Sequence, residues 1–397
     1  MKGRLVLHAD PRAHLGATLA ALDAGEPVFL GNPRWTEGQL EEALRQVPAG
    51  CAVEGAAVRP RGMGTCDWPQ GWGGRLMVPT GGTGGAVRFV IHDRATLGAA
   101  ARSFAEALAR RGFTGPLHGA VLTPPWHVSG LMPAIRARET GGVFKVADGR
   151  FRAEDSLPVL DWPAGGTRLA SLVPAQLARL LARADGPAWL GQFDVVLLGG
   201  SAMPQGLLAT ARAQRLPIAL TYGMTETAAA MALAWPGEGG DGETPWGEPL
   251  AGVRLGSREG RLWVDGPGLC LGRWPATPVT RPFDTGDLGE VDAAGRVRVT
   301  GRADRVIATG GEKVDLGRVE RALTGPGLAR SAWVTTLPDP TWGNLIVAVV
   351  VAEAQEEPAL RAAAERALEA AARPRRYVFV DELPYDAKGK LDPSGLA

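Results

Sequence analysis

Glycines and threonines fill the segment Thr80–Gly85, and a basic residue, Arg88, follows three positions later. Glycines let a backbone approach an anion closely, and successive N–H groups form a concavity that holds it. Threonine hydroxyls and an arginine add hydrogen-bond donors and positive charge. The segment therefore predicts a phosphate-binding loop, with a plain hairpin turn as the alternative.

The residues around this loop argue against two familiar kinds of nucleotide site. Arg88–His92 has the composition of a strand, whereas a Walker loop or a dinucleotide fingerprint should open a helix. The single Gly-Lys pair of the chain, Gly389-Lys390, precedes leucine instead of serine or threonine. A P-loop NTPase and a Rossmann dehydrogenase are therefore disfavoured.

Two further segments carry polar side chains that could contact a ligand. Thr221–Thr227 combines a tyrosine, hydroxyls and the carboxylate of Glu226, a set able to stack on a base, contact phosphate and hold Mg²⁺. Asp284–Asp287, Gly301–Arg305 and Thr309–Lys313 form a dense polar stretch later in the chain. A structural role for the first segment, and a hairpin of solvated charges for the second, are the alternatives.

Nucleophilic and zinc chemistry have little support. Gly199–Met203 is similar to the turn that exposes a catalytic serine in hydrolases, but Met203 replaces the final glycine of that motif. We therefore predict that Ser201 is a turn residue. The three cysteines of the chain are far apart, and no His/Cys constellation suggests a zinc site.

Strands and helices that alternate along the chain must position these segments. A strand at Phe193–Leu198, a helix at Pro204–Arg215 and a strand at Pro217–Thr221 imply a parallel sheet with a right-handed crossover. Ligands bind at the carboxyl ends of such strands. The same reasoning predicts strands at Arg75–Val78 and Arg88–His92, a helix from a Thr96 cap to Arg111, and a helix from Pro174 to Ala184.

The last hundred residues predict a small α+β unit with apolar strands of its own. We place the boundary near Ala303–Asp304, which gives domains 1–303 and 304–397. No structure is predicted for the region up to about Gly74, where periodicity is weak. The predicted elements of the small unit are a helix at Leu316–Leu323, strands at Ser331–Leu337 and Leu345–Val351, a helix at Pro358–Ala372 and a strand at Tyr377–Val380.

Composition restricts the class of protein. The 397 residues include 43 Lys and Arg against 42 Asp and Glu, so a nucleic-acid partner, which needs concentrated basic charge, is not expected. The apolar run Leu345–Ala352 is too short to span a membrane. His8 and Asp10 interrupt any secretion signal, and scattered cysteines suit a reducing compartment. We expect a cytoplasmic protein. The sequence does not decide its oligomeric state, and a homo-oligomer is one of the alternatives.

Seven segments in order resemble the motifs of the acyl-adenylate-forming, AMP-dependent acyl-CoA synthetase and ligase superfamily. The resemblance covers Val78 to Leu391, and Ser171–Leu177, Leu197–Ala202 and His127–Arg136 look most like its o-succinylbenzoate branch, which serves menaquinone and phylloquinone synthesis. The seven segments are Pro79–Gly85, His127–Gly130, Gly199–Pro204, Thr221–Thr227, Asp284–Gly289, Thr300–Val314 and Ala387–Asp392.

The resemblance implies a fold, a reaction and its small-molecule substrates. The fold is a large α/β domain with mixed and parallel sheets flanked by helices, followed by a small, mobile α+β domain. ATP, with Mg²⁺, would activate a carboxylic acid as an acyl-adenylate, and coenzyme A would then take the acyl group. The alternatives are another aryl- or fatty-acid–CoA ligase and a non-catalytic nucleotide-binding relative.

The resemblance also implies a role for each matching residue. Thr225 and Lys390 would contact the α-phosphate, Glu226 would bind Mg²⁺, and Asp304 would be the hinge between the domains. The β- and γ-phosphates would be contacted by Thr80, Gly81, Gly82, Thr83, Gly84, Gly85 and Arg88, the adenine by Gly200, Ser201, Ala202 and Tyr222, and the ribose by Asp287 and Arg302. The acyl substrate would be contacted by His127, Ser129 and Arg136. The thioester step would use Gly310, Gly311, Glu312 and Lys313.

Two features depart from the family pattern. Gly81 and Gly84 stand where relatives usually carry hydroxyls, and Arg88 replaces the usual lysine. An arginine keeps the positive charge but presents a planar fork instead of a point charge, so the phosphate geometry should differ while phosphate binding remains. The short N-terminal region also leaves open how the acyl pocket is completed.

Overall fold

The computed structural model describes residues 3–55, 63–64, 71–81, 87–201, 203–235, 245–275, 277–309, 311–324 and 328–383. Its strands are β1 Arg4–Val6, β2 Val28–Leu30, β3 Ala52–Glu54, β4 Arg75–Gly81, β5 Val87–Asp93, β6 Leu117–Val121, β7 Phe144–Val146, β8 Thr167–Leu172, β9 Val195–Leu198, β10 Ile218–Met224, β11 Ala229–Ala234, β12 Glu248–Pro249, β13 Arg254–Arg258, β14 Arg261–Asp265, β15 Gly272–Arg273, β16 Thr277–Pro278, β17 Phe283–Val291, β18 Val297–Arg302, β19 Val306–Thr309, β20 Glu312–Asp315, β21 Ser331–Asp339, β22 Gly343–Val351 and β23 Arg376–Phe379.

The helices cover the faces of these strands, and short 3₁₀ turns complete the connections. No helix in the described part of the chain is long and apolar enough to cross a bilayer. The α-helices are α1 Pro11–Asp23, α2 Glu37–Gln46, α3 Arg94–Ala109, α4 Val128–Thr140, α5 Pro174–Leu181, α6 Gly186–Leu190, α7 Gln205–Ala213, α8 Leu316–Leu323 and α9 Glu357–Ala367, and the 3₁₀ turns are Thr225–Thr227, Ala303–Arg305, Ala354–Glu356 and Ala370–Ala372.

Two seven-stranded mixed sheets form the large part of the molecule. The first has the order β16-β15-β5-β4-β2-β1-β3, with β1 to β4 parallel and β5, β15 and β16 added antiparallel. The second has the order β12-β11-β10-β9-β8-β6-β7, parallel from β7 to β10. The predicted strand–helix–strand unit is therefore confirmed, since β9 and β10 are parallel and α7 connects them.

Helices α3 and α4 lie between the two sheets. Leu97 and Ala101 of α3 join the core of the first sheet together with Leu131 of α4. Phe104 and Leu108, further along α3, pack on the second sheet. One helix thus buries apolar side chains on both sheets, so the sheets hold a fixed position relative to each other.

A third sheet and the small C-terminal unit follow. Strands β13, β14, β17 and β18 form an antiparallel sheet, and β19 pairs with β20 as a hairpin. In the last unit β21, β22 and β23 make a sheet whose core includes apolar residues of α8 and α9. The predicted α+β unit is confirmed, with its helix at Leu316–Leu323 matching in both bounds.

Two predictions of local structure need correction. Helix α3 is capped by Asp93, since its carboxylate accepts from the Thr96 amide at 2.8 Å and the Thr96 hydroxyl accepts from the Asp93 amide at 3.0 Å; Thr96 is the other half of this capping box. The last long helix stops at Ala367, because Leu368 is extended (φ −131°, ψ 143°). The region before Gly74, for which the sequence predicts no structure, contains three parallel strands and two helices among its described residues. Its strands are only three residues long, and β2 is buried at all three positions, so periodicity gave no signal.

A bulge between β10 and β11 sits at the glycine of the Thr221–Thr227 segment. The register of the two strands shifts between Tyr222 and Gly223. A Cβ atom added to Gly223 would lie 1.8 Å from the carbonyl oxygen of Ala229, so the close approach of the two backbones requires glycine. The strand can therefore bend towards the turn that follows it.

We predict that Gly223→Ala lowers the free energy of unfolding by about 2–3 kcal/mol, because the added methyl group forces the two strands apart. Gly16→Ala is the matched control. Gly16 is exposed in the middle of α1, and an alanine methyl group there would have no other atom within 4 Å, so this variant should gain about 0.5–1 kcal/mol. Urea denaturation measures both variants. Equal unfolding midpoints for the two would contradict the tight contact at Gly223.

Candidate active site

Tyr222, Asp287 and Arg302 come together although 80 residues of sequence separate the first from the last. The Tyr222 hydroxyl donates to Asp287 Oδ2 at 2.8 Å, and Arg302 Nη1 donates to Asp287 Oδ1 at 3.1 Å. Asp287 of β17 and Arg302 of β18 are direct cross-strand partners, so sheet register places this ion pair. Tyr222 reaches the pair from β10 of another sheet.

Burial dominates the electrostatics of this network. Asp287 is 6% exposed, and this burial raises the pKa of its carboxyl, while the Tyr222 hydrogen bond and the Arg302 charge oppose the shift. Burial, followed by the nearby Asp287 carboxylate, also raises the pKa of Tyr222, which therefore keeps its proton and acts as a donor. The result is a buried carboxylate with a hydroxyl on one oxygen and a guanidinium on the other.

Arg302 also binds Asp304. Its Nε donates to Asp304 Oδ1 at 3.1 Å and its Nη2 to Asp304 Oδ2 at 3.0 Å, a bidentate contact. The hydrogen bond from Arg302 lowers the pKa of Asp304. The predicted hinge residue therefore lies within the same network as Tyr222 and Asp287.

The turn Thr225–Thr227 follows β10 directly, at the carboxyl end of the strand. Ala228 and Ala229 after the turn have positive φ angles of 51° and 73°, which is costly for residues other than glycine. Glu226 is buried at 8% exposure and forms an ion pair with Arg273, with Arg273 Nη2 2.9 Å from Glu226 Oε1. The turn therefore holds a buried carboxylate whose charge is balanced from β15.

His92 holds the same turn from the first sheet. Its Nε2 lies 2.8 Å from the Thr225 carbonyl oxygen, and its Nδ1 lies 3.1 Å from Thr96 Oγ1. Because a carbonyl oxygen can only accept, Nε2 carries the proton and Nδ1 accepts from the Thr96 hydroxyl. Burial lowers the pKa of His92, which favours this neutral form.

The two glycine-containing segments are described only in part. Thr80 of β4 is opposite Arg88 of β5, and Gly81, the last residue of β4, is paired with Val87, so the two strands form a hairpin. Gly82–Gly85 lie outside the described residues. Gly200, with φ of 85°, and the exposed Ser201 follow β9 at the ligand-binding edge of the second sheet, and Ala202 is outside the described residues.

The three residues predicted to contact the acyl substrate belong to α4 or its cap. His127 is the N-cap position and Ser129 lies in the first turn, both partly buried. Arg136 is 4% exposed, with its Cζ 3.8 Å from the ring centroid of Phe104. Among the described residues Arg136 forms no ion pair, and its Nε has no hydrogen-bond partner. Burial lowers the pKa of Arg136 to about 9.

The residues predicted for the second step belong to the β19–β20 hairpin. Gly311, Glu312 and Lys313 are exposed in the β19–β20 hairpin, Gly311 with φ of 84°. Gly310 and Lys390 are outside the described residues.

Sequence reasoning missed His92, Arg273 and Phe104. No local motif marks them: His92 lies in an ordinary buried strand and Arg273 in a two-residue strand, and Phe104 is one of many apolar residues on α3. Each contacts a site residue that is distant along the chain, so only pairing of the strands and helices brings them in.

A magnesium ion suits the Glu226 end of the site. No group of three or more His, Cys, Asp or Glu side chains in the described part of the chain could hold a metal ion. Mg²⁺ usually takes one or two protein carboxylates together with substrate phosphates and water, not a complete protein cage. The single buried carboxylate of Glu226, placed between the two sheets, fits that mode of binding.

Comparisons with known proteins identify the family of this chain. Residues 67–274 match the family model of AMP-binding enzymes, and residues 318–390 match that of the AMP-binding enzyme C-terminal domain. A probable 2-succinylbenzoate–CoA ligase from Mycobacterium tuberculosis is 34% identical over 336 residues, which cover 81% of this chain and 83% of that protein. A 2-succinylbenzoate–CoA ligase from Geobacillus kaustophilus is 31% identical over 68% of this chain and 58% of that protein.

Solved structures share the fold over almost the whole chain. The o-succinylbenzoate CoA synthetase of Bacillus subtilis, in complex with its acyl-adenylate intermediate, has a TM-score of 0.75 at 20% identity and covers 98% of this chain and 87% of that one. ATP-bound MatB from Rhodopseudomonas palustris has a TM-score of 0.76 at 21% identity, and the match covers 100% of this chain and 88% of that one. Both family models and the relatives together establish that this chain belongs to the AMP-binding enzyme family, with the fold of the adenylate-forming ligases.

Proposed function

We propose that this protein is an ATP-dependent acid–thiol ligase that converts o-succinylbenzoate into its coenzyme A thioester. The network of Tyr222, Asp287 and Arg302 carries the nucleotide part of the proposal, since it gathers an aromatic ring, a buried carboxylate and a guanidinium at one edge. The names of the relatives from Mycobacterium tuberculosis and Geobacillus kaustophilus support the choice of acid.

The reaction proceeds in two displacements. A carboxylate oxygen of the acid attacks the α-phosphorus of ATP, the bond to the bridging oxygen breaks, and pyrophosphate leaves with that electron pair. The coenzyme A thiolate then attacks the acyl carbon, and AMP leaves as the carbon–oxygen bond breaks. The thiol proton goes to solvent.

The first displacement brings an anion to a polyanion. Two unit charges about 4 Å apart repel by about 4 kcal/mol at an effective dielectric constant near 20. Cations and backbone N–H groups fixed before the substrates arrive lower this barrier and align the attacking oxygen. Thr80–Gly85 and Arg88 are proposed for the β- and γ-phosphates, and Thr225 and Lys390 for the α-phosphate.

The nucleoside end is assigned to the buried network. Asp287 and Arg302 would hydrogen-bond the ribose hydroxyls, with Asp287 accepting and Arg302 donating. The Tyr222 ring would stack on adenine beside the Gly200–Ala202 turn, while its hydroxyl keeps the Asp287 carboxylate in place. Glu226 would hold Mg²⁺, which neutralises charge on the phosphates when bound.

Arg136 supports a substrate that carries a second carboxylate. A guanidinium buried at 4% exposure without an ion-pair partner among the described residues is unfavourable unless an anion joins it. o-Succinylbenzoate reacts through its aliphatic carboxylate and leaves the aromatic one free for such a contact. We assign that contact to Arg136, with Ser129 and His127 as further contacts to the acyl substrate.

The second step is assigned to motion at Asp304. In this proposal residues 304–397 form a domain that rotates after adenylation, removes Lys390 and presents Gly310–Lys313 to coenzyme A. The bidentate Arg302–Asp304 contact supports a hinge at this position, because it joins the nucleotide site to the first residues of the second domain.

Lys390→Ala should lower the rate of acyl-adenylate formation by at least about a hundredfold, since the cation beside the attacking carboxylate is lost. Thioester formation from supplied acyl-adenylate should change little. Lys388→Ala, two residues away, is the control and should keep both half-reactions. Stopped-time assays of AMP and thioester measure them separately. Loss of both half-reactions to the same extent in Lys390→Ala would argue against the assignment.

Arg136→Met should raise the KM for o-succinylbenzoate by about 10–100-fold, the effect of losing a charged hydrogen bond. Its KM for an aryl monocarboxylate should stay unchanged. The melting temperature should not fall, because methionine removes an unpaired buried charge at similar volume. Arg138→Met, whose arginine is exposed and paired with Asp23, is the control. Equal KM changes for both acids would remove Arg136 from substrate recognition.

A further inference from the structure

Arg273 is paired with the carboxylate that the proposed function gives to Mg²⁺. Its Nη2 lies 2.9 Å from Glu226 Oε1, and its side chain is 42% exposed while that of Glu226 is 11% exposed. Glu226 is thus neutralised from one side by an arginine that still reaches solvent on the other. Such a guanidinium has further N–H donors available for a second anion.

The register of the first sheet puts Arg273 on the same face as Arg88. Arg273 of β15 is opposite Val90 of β5, and Arg88 lies two residues before Val90 on the same side of the strand. Diagonal neighbours of this kind have Cα atoms about 7–8 Å apart, within reach of long side chains. Thr80 of β4 is opposite Arg88 and shares this face.

This face of the sheet is directed towards the Thr225–Thr227 turn. His92 also lies on it, two residues after Val90, and its Nε2 reaches the Thr225 carbonyl oxygen at 2.8 Å. Arg273 reaches Glu226 of the same turn. Two arginines and a threonine therefore line the side from which polyphosphate would approach the turn.

We propose that Arg273 is a polyphosphate-binding residue, which neutralises Glu226 in the free protein and bonds the β- and γ-phosphates when Mg²⁺ occupies that carboxylate. The inference rests on the proposed function, because it takes ATP as the substrate of this site. Mg²⁺ bound to Glu226 would add positive charge beside the guanidinium, and the phosphates bring the negative charge that Arg273 then needs. Arg273 and Arg88 together supply two planar forks in place of a single lysine.

The experiment compares nucleotides that differ only in the phosphates at issue. Wild type, Arg273→Gln and Arg273→Lys are titrated calorimetrically with ATP plus Mg²⁺ and with AMP, without acid or coenzyme A. Arg273→Gln should lower the affinity for ATP by about 10–100-fold and change the affinity for AMP by less than about twofold, since AMP lacks both contacted phosphates. The ATP affinity of Arg273→Lys should lie between those of wild type and Arg273→Gln, because lysine keeps the positive charge but lacks the planar set of donors of a guanidinium.

Arg168→Gln is the matched control. Arg168 is 38% exposed and paired with Asp194, but it lies at the amino end of β8, on the opposite edge of its sheet from the site. It should bind both nucleotides as wild type does. Melting temperatures of all variants confirm that each is folded under the titration conditions, and Arg273→Lys keeps the test open if Arg273→Gln is not folded.

The outcomes separate this inference from the proposed function. The role of Arg273 alone is overturned if wild type binds both nucleotides and the two Arg273 variants lose affinity for ATP and AMP equally. It is also overturned if wild type binds both nucleotides and neither variant loses affinity for either of them. Wild type that binds neither nucleotide overturns the proposed function and the inference with it. A loss confined to ATP in the Arg273 variants supports both.

Discussion

The buried Asp287 carboxylate, held between the Tyr222 hydroxyl and the Arg302 guanidinium, constrains the whole site. A charge removed from water costs several kcal/mol unless hydrogen bonds and an opposite charge replace its hydration. Those partners come from β10 of the second sheet and β18 of the third, so the sheets must stay in fixed positions for the carboxylate to stay ionised. The same requirement makes this edge of the fold rigid.

The Thr225–Thr227 side of the site depends on a contact between the two large sheets. The Thr225–Thr227 turn belongs to the second sheet, whereas His92 and Arg273, which hold its carbonyl oxygen and its carboxylate, belong to the first. Helix α3 packs on both sheets and fixes their separation. A short, strained turn can therefore keep one geometry, because His92 and Arg273 of the neighbouring sheet bind it.

Charged contacts connect the C-terminal unit to the rest of the molecule. Arg302 binds Asp304 at the start of the unit, and Arg179 of α5 forms an ion pair with Glu382 near its end, at 2.5 Å. The Arg179–Glu382 ion pair is exposed, and exposed ion pairs contribute little stability and can break at small cost. Such contacts suit a unit that must change position between the two steps of the proposed reaction.

The sequence by itself determined the family, the parallel strand–helix–strand unit and the convergence of Tyr222, Asp287 and Arg302, because the motifs are local and their order is specific. It could not reveal the three N-terminal strands, because each has only three residues and is too short to show a period. Nor could it reveal His92, Arg273 or the stacking of Arg136 on Phe104. Those contacts were decided only by the tertiary structure, since they join residues from different sheets and helices whose distance depends on packing and strand register.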